Sequence, residues 1–140
     1  MAGKSLSRST PGMPDTEKVT VNLGFVDLGQ IDLLVKEGFY ANRTDFIRNA
    51  IRQGLSQHSD AVRQVVARHT YTLGLKSYTR AELEAQRLTG RKIHIRGLGL
   101  TSIAADVSPE LARDTIESLV VLGALSASPE VKAALADRMR

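Results

Sequence analysis

The run Lys18-Val19-Thr20-Val21-Asn22-Leu23 alternates polar and apolar residues without a break, and Gly24 closes it. Successive side chains of a strand point to opposite faces, so Val19, Val21 and Leu23 share a core only if Lys18, Thr20 and Asn22 share the other side. The alternation and the β-branched residues predict a short two-faced strand. It has two unpaired edges, so what it pairs with decides the fold.

Outward from it, Leu28, Ile31, Leu34 and Val35 recur at helical spacing between Asp27 and Glu37, with Gly38 placed to stop the helix. Gly24-Phe25-Val26 ahead of it lacks a polar cap and leaves Phe25 to cover a dimer core or a neighbouring domain. After Gly38-Phe39-Tyr40-Ala41, Asn42-Arg43-Thr44-Asp45 sets a capping residue three positions before an acid, a relative of the capping box. A second helix follows, with Phe46, Ile47, Ala50, Ile51 and Leu55 on its buried stripe and Arg48, Arg52 and Gln53 outside. Gly54 weakens it, and a break is expected between Gln57 and Asp60.

One strand and two helices in ~40 residues cannot close a core. The simplest completion is a second copy, its strand antiparallel to this one and its helices interlocked with these. The dimer core would then hold Val19, Val21, Leu23, Ile31, Leu34, Phe46, Ile47, Ala50 and Ile51.

KVTVNL, an amphipathic helix ending in EG, and FYANRTDFIRNAIRQGL together resemble the ribbon-helix-helix DNA-binding regulators of the CopG, Arc and MetJ kind. The resemblance covers about Lys18 to Leu55. It implies a two-stranded ribbon in the major groove whose outward residues, here Lys18, Thr20 and Asn22, read base edges. Those side chains suit base reading, since Lys donates to guanine, Asn pairs with adenine and Thr bonds a base or touches a thymine methyl. Periodicity alone would equally make them the wet face of a strand. The resemblance also implies a phosphate clamp at the start of the second helix, formed around Asn42, Arg43 and Thr44, where free N–H groups and the helix dipole favour an anion. The bland role there is a helix cap, and both roles can share the same atoms.

The second half has its own pattern. A strand in TYTLGLKSYT, a helix in RAELEAQRL closed by Gly90, and a strand in KIHIRGLGL running on to Val107 are expected. Ser108 and Pro109 begin a helix carrying Leu111, Thr115, Ile116 and Leu119, while Ser118 to Leu122 reads equally well as strand. Ser108-Pro109-Glu110-Leu111 returns as Ser128-Pro129-Glu130-Val131. Two arrangements fit: stacked strand-helix layers of a short solenoid, or a compact α/β domain whose helices share a good cap. Exposed sheet edges would favour further self-association.

The fold class expected is therefore α+β. Residues 1–16 form a flexible arm, 17–58 a ribbon-helix-helix, and 59–140 a small α/β region for oligomerisation or partner binding. Met13 opens a run, MPDTEKVTVNLG, that reads as a start in its own right.

Composition narrows the chemistry. The 140 residues include no cysteine and three histidines, His58, His69 and His94, so disulfides and thiolate metal sites are excluded. The nickel-responsive repressor joins a similar DNA-binding segment to a histidine-rich domain, but His69 and His94, even on neighbouring strands, would leave a metal short of ligands. No metal and no cofactor are expected. No phosphate loop, nucleophile with a base, or paired carboxylates argue for an enzyme. The longest apolar run, Leu119 to Leu125, is too short to span a bilayer, and the N-terminus has no secretory core, so the cytoplasm is the expected location.

The chain carries 19 Lys and Arg against 15 Asp and Glu. Five of each sign cancel between Glu17 and Leu55. From Ser56 onward twelve basic residues outweigh nine acidic, with Arg87, Arg91, Lys92 and Arg96 close together as a solvated face or a second DNA contact. The function expected is a dimeric, sequence-specific transcriptional regulator, a repressor, binding double-stranded DNA. The alternatives are an antitoxin whose C-terminal half binds a toxin, and a plasmid partition or relaxosome accessory protein.

Overall fold

The computed structural model describes residues 16–140, which form two compact units, residues 16–65 and 66–140. All but the last residue of the expected N-terminal arm lie outside the described residues.

The N-terminal unit holds α1 (Phe25–Lys36), α2 (Arg43–Gln57) and the start of α3 (Ser59–His69). Residues 17–24 are exposed, carry no regular secondary structure and pair with no other strand among the described residues. The expected strand is thus not part of a ladder among the described residues. The physical reason is that the rest of this unit is helical and offers no row of N–H and C=O groups to pair with. The first helix starts two residues earlier than the pattern predicted, at Phe25, with Gly24 as a cap that has no side chain to give. It ends through Gly38 in the left-handed region (φ +89°), where the Phe39 N–H reaches the Leu34 carbonyl at 2.9 Å. The expected break after the second helix is a single turn residue, His58, between α2 and α3.

In the C-terminal unit β1 (Thr72–Tyr78), β2 (Ile93–Ile103) and β3 (Ile116–Ser126) form one parallel sheet in chain order. Each strand is followed by a helix: α4 (Arg80–Leu88), α5 (Pro109–Thr115) and α6 (Pro129–Ala134). Strand and helix thus alternate three times along this unit. The helices start on side-chain caps: Thr79 in a full capping box with Glu82, Ser108 accepting from Leu111 N–H at 3.1 Å, and Ser128 accepting from Val131 N–H at 3.2 Å. The Ser-Pro-Glu pair is thus two helix starts.

The register brings Gly74, Gly99 and Gly123 side by side, with Leu73, Leu98 and Leu122 before them and Ser77, Ser102 and Ser126 three residues after. The true repeat is therefore Leu-Gly-Leu/Ala-x-Ser, read three times. Its spacing is 25 and then 24 residues, not the 20 that separates Ser108 from Ser128. The capping serines mislead because six residues separate Ser102 from Ser108 and only two separate Ser126 from Ser128.

Two expectations are corrected here. Ile116 and Leu119 lie on β3, not on a helix continuing from Pro109, since helix α5 stops at Thr115 and the β-branched run Ile116, Val120, Val121 finds β2 to pair with. His69 closes α3 instead of sitting on a strand beside His94, and its ring meets Tyr71 edge-on at 6.3 Å.

One face of the sheet carries the core. Leu83 from α4, Ile95 and Ile103 from β2, Leu111 and Ala112 from α5, Ile116 and Leu119 from β3 and Val131 from α6 are all buried there. Burying each large aliphatic side chain contributes ~1.5–3 kcal/mol. Below the sheet, Arg138 donates to the carbonyls of Arg113 and Ile116, both at 2.6 Å, and Arg113 donates to Ala134 and to Asp137, the latter at 2.9 Å. The Met139 bridge to Leu119 then starts alongside β3.

Candidate nucleic-acid interface

The sequence-predicted reading residues sit on the segment ahead of α1, and Lys18, Thr20 and Asn22 are all exposed. So are their apolar alternates: Val19 and Val21 are 77% and 69% accessible, and Leu23 is open as well. Both faces of this segment are wet in the single chain. A polar face gains from that; an apolar face does not.

The helices repeat the imbalance. Ile31 is the one buried residue between Thr16 and Val65, and Leu34 and Phe46 are half-buried. Ile47, Ala50 and Ile51 of the predicted dimer core are exposed, as are Leu55 and Phe39. Six of the nine predicted dimer-core residues, Val19, Val21, Leu23, Ile47, Ala50 and Ile51, are thus exposed in the single chain. Large apolar side chains left exposed in this number point to an interaction face.

At the start of α2, Asn42, Arg43 and Thr44 come together as consecutive residues of one helix end. Asn42 is the cap: its Oδ1 accepts from the Asp45 N–H at 2.8 Å, and its carbonyl accepts from Phe46 N–H at 3.2 Å. Asp45 reaches back in turn, but past the cap, to the Ala41 N–H at 2.9 Å. The Arg43 and Thr44 N–H groups belong to the first turn, which has no acceptor within the helix. Thr44 is exposed.

Arg43 has a role that its place in the sequence did not announce. Its Nε and Nη2 donate to the two carboxylate oxygens of Asp32 on α1, each at 2.8 Å, a two-pronged ion pair that ties α1 to α2. The hydrogen bond from Arg43 holds the Asp32 carboxyl below its ordinary range, and Asp32 raises Arg43 in return. Two of the five guanidinium N–H donors are engaged, which leaves three facing elsewhere. Opposite charges eleven residues apart across a helix-turn-helix were the available signal. Tyr40 and Phe46 pack edge to face beside it, with ring centres 5.0 Å apart.

The basic cluster of the C-terminal unit is less of a cluster than its sequence. Arg87 points to Asp114 of α5 at 3.7 Å, and the Arg96 guanidinium lies over the Tyr71 ring at 5.9 Å. His94 is bonded through Nδ1 to the Ser118 hydroxyl at 2.8 Å. Among the described residues no three of His, Cys, Asp and Glu gather as a metal site. No helix among them is long and apolar enough to cross a membrane.

A model of the ribbon-helix-helix transcriptional regulator family matches residues 14–132. The chain belongs to that family. Membership makes it one of the DNA-binding transcriptional regulators. The match runs well past the segment that carries the resemblance in sequence, so the strand-helix layers of this regulator fall inside the family pattern as far as Lys132. No curated protein and no solved structure matches the regulator.

Proposed function

We propose that the regulator acts as a homodimer and a sequence-specific repressor. Residues 18–23 of two copies pair antiparallel, and the polar face of that ribbon enters the major groove. Lys18, Thr20 and Asn22 then read bases, while the N–H groups of Arg43 and Thr44, the Thr44 hydroxyl and the free donors of Arg43 hold phosphates on either side. Asn42 acts there mainly as the cap that keeps the helix end open in the right direction. The C-terminal layers join dimers bound at adjacent half-sites.

The observation that carries this reading is the segment 18–23 itself: exposed along its length, unpaired among the described residues, and alternating apolar with polar residues. Pairing with its own copy would cover Val19, Val21 and Leu23 and leave the polar alternates free. An antitoxin function, with a tail that orders only on a toxin, is disfavoured by the buried core that residues 83 to 135 already have without a partner.

Selection of bound sequences from a random DNA pool tests the proposal. It should return a site made of two related half-sites, and a pool with no enriched sequence would end the specific-reading claim. The double variant Thr20→Ala with Asn22→Ala should keep the dimer and lose the preference for that site over random duplex. Each lost contact removes ~1–3 kcal/mol of discrimination, or about five- to 150-fold.

A further inference from the structure

Among the described residues, the sheet of the C-terminal unit has two open edges that match each other. In its interior every rung docks on the one before it in the same way. The Gly74 carbonyl oxygen comes so close to Gly99 that a Cβ there would sit 2.3 Å from it, and the Gly99 carbonyl oxygen crowds Gly123 equally, at 2.2 Å from the place of a Cβ. Both receiving glycines have φ in the left-handed region, +132° and +116°. Gly74, on the outer edge of β1, has the same kind of φ, +110°, yet nothing among the described residues lies within 4 Å of where its Cβ would be. The first rung is shaped to receive a carbonyl that none of the described residues supplies.

The side chains repeat the message. On the sheet face away from the helices, Leu98 is flanked by Leu73 on one side and Leu122 on the other and is half-buried. The two ends of that row are open, Leu73 at 67% and Leu122 at 51% accessible, and Leu75 next to Leu73 reaches 78%. Ser77 and Ser102 share a hydrogen bond of 2.7 Å, and Ser126 continues that row to the β3 edge. The Met139 bridge covers β3 only at Leu119, so Val121 to Ser126 have no strand beside them on that edge among the described residues.

We propose that the β3 edge of one copy adds in parallel to the β1 edge of a second copy. Gly123 of one protomer would lie opposite Gly74 of the next, with Leu122 opposite Leu73 and Ser126 opposite Ser77. This continues the intramolecular ladder at its own spacing. The occupant is a second copy and not an arbitrary strand because register, apolar row, serine row and glycine geometry all match at once. The joint is heterologous, so each addition leaves a new β1 and a new β3 edge and the assembly grows as a chain instead of closing as a pair. It deepens the proposed joining of dimers on DNA and rests on that reading only for its purpose.

The test uses full-length protein without DNA, so a failure of DNA reading does not touch it. Wild type should form species larger than the dimer in sedimentation velocity, growing with concentration. Leu73→Lys with Leu75→Lys blocks one edge, and Leu122→Lys blocks the other; all three positions are exposed, and circular dichroism checks that each variant folds. Each variant alone should lose the larger species. Mixing the two should restore them, because an intact β3 edge then meets an intact β1 edge. A β3-blocked variant that still assembles alone would mean a symmetric β1-to-β1 joint and overturn the proposal. So would a folded pair of variants that mixing fails to rescue, or a wild type that stays dimeric at every concentration.

Discussion

Gly74 and Gly99 occupy the same place in successive rungs, and a methyl group added at each asks two different questions. At Gly99 the new Cβ would meet the Gly74 carbonyl oxygen at 2.3 Å and its carbon at 3.1 Å, both backbone atoms of a paired strand that cannot swing aside. The residue would also be held at φ +132°. Overpacking and conformational strain add there, so Gly99→Ala should cost about 3 kcal/mol or more in a chemical-denaturation measurement. At Gly74 of the unassembled chain, at concentrations too low for the β1 and β3 edges to join, only the strain at φ +110° remains, since the space is open among the described residues. Gly74→Ala should cost about 1–2 kcal/mol. Equal losses at both sites would mean that the ladder is held by backbone conformation alone and not by close approach.

The helix pair α1 and α2 is joined by Asp32 and Arg43, and this contact has a pH signature. The lowered Asp32 pKa means that the folded chain binds this proton less readily than the unfolded chain. The contribution to stability is therefore present above the ordinary carboxylate pKa of ~3.9 and is lost as pH falls through the lowered value beneath it. Asp32→Asn should be less stable than wild type at neutral pH, by a small margin because the pair is exposed, and that margin should close on acidification. Denaturation curves of both proteins from neutral pH down to the acid limb measure it; a margin independent of pH would assign the loss to something other than the carboxylate. The same elements show what could be read from sequence. Periodicity in Ile31, Leu34, Phe46 and Ile51 defines two helices and their apolar stripes because helix spacing is local. The Asn42 cap was legible for the same reason. The Asp32 to Arg43 pair and the start at Phe25 were not, since the first depends on how two helices cross and the second on a glycine cap with no side-chain signal. In the layers, Leu-Gly-Leu was hidden by connections of unequal length, and Ile116 looked helical until a neighbouring strand gave it somewhere to pair.

At the scale of the whole chain the charges are unevenly shared between the two units. The segment from Glu17 to Leu55 has five cations and five anions, while the chain from Ser56 onward has an excess of three cations. If the ribbon and the start of α2 supply the phosphate contacts, the binding strength of one dimer at one site should not depend on the layers, and its salt dependence should not either. Each phosphate neutralised contributes about −0.9 to the slope of log affinity against log salt. A chain ending after Val65 should therefore bind a single site with the slope of the full-length regulator, within about one unit. On two adjacent sites it should lose cooperativity, because the edges of β1 and β3 that would link neighbouring dimers are gone. Titrations of single and tandem sites at several salt concentrations separate these effects. A slope that falls by several units on truncation would place Arg91, Lys92 or other cations of the layers on the DNA backbone, and unchanged cooperativity would remove the layers from assembly altogether.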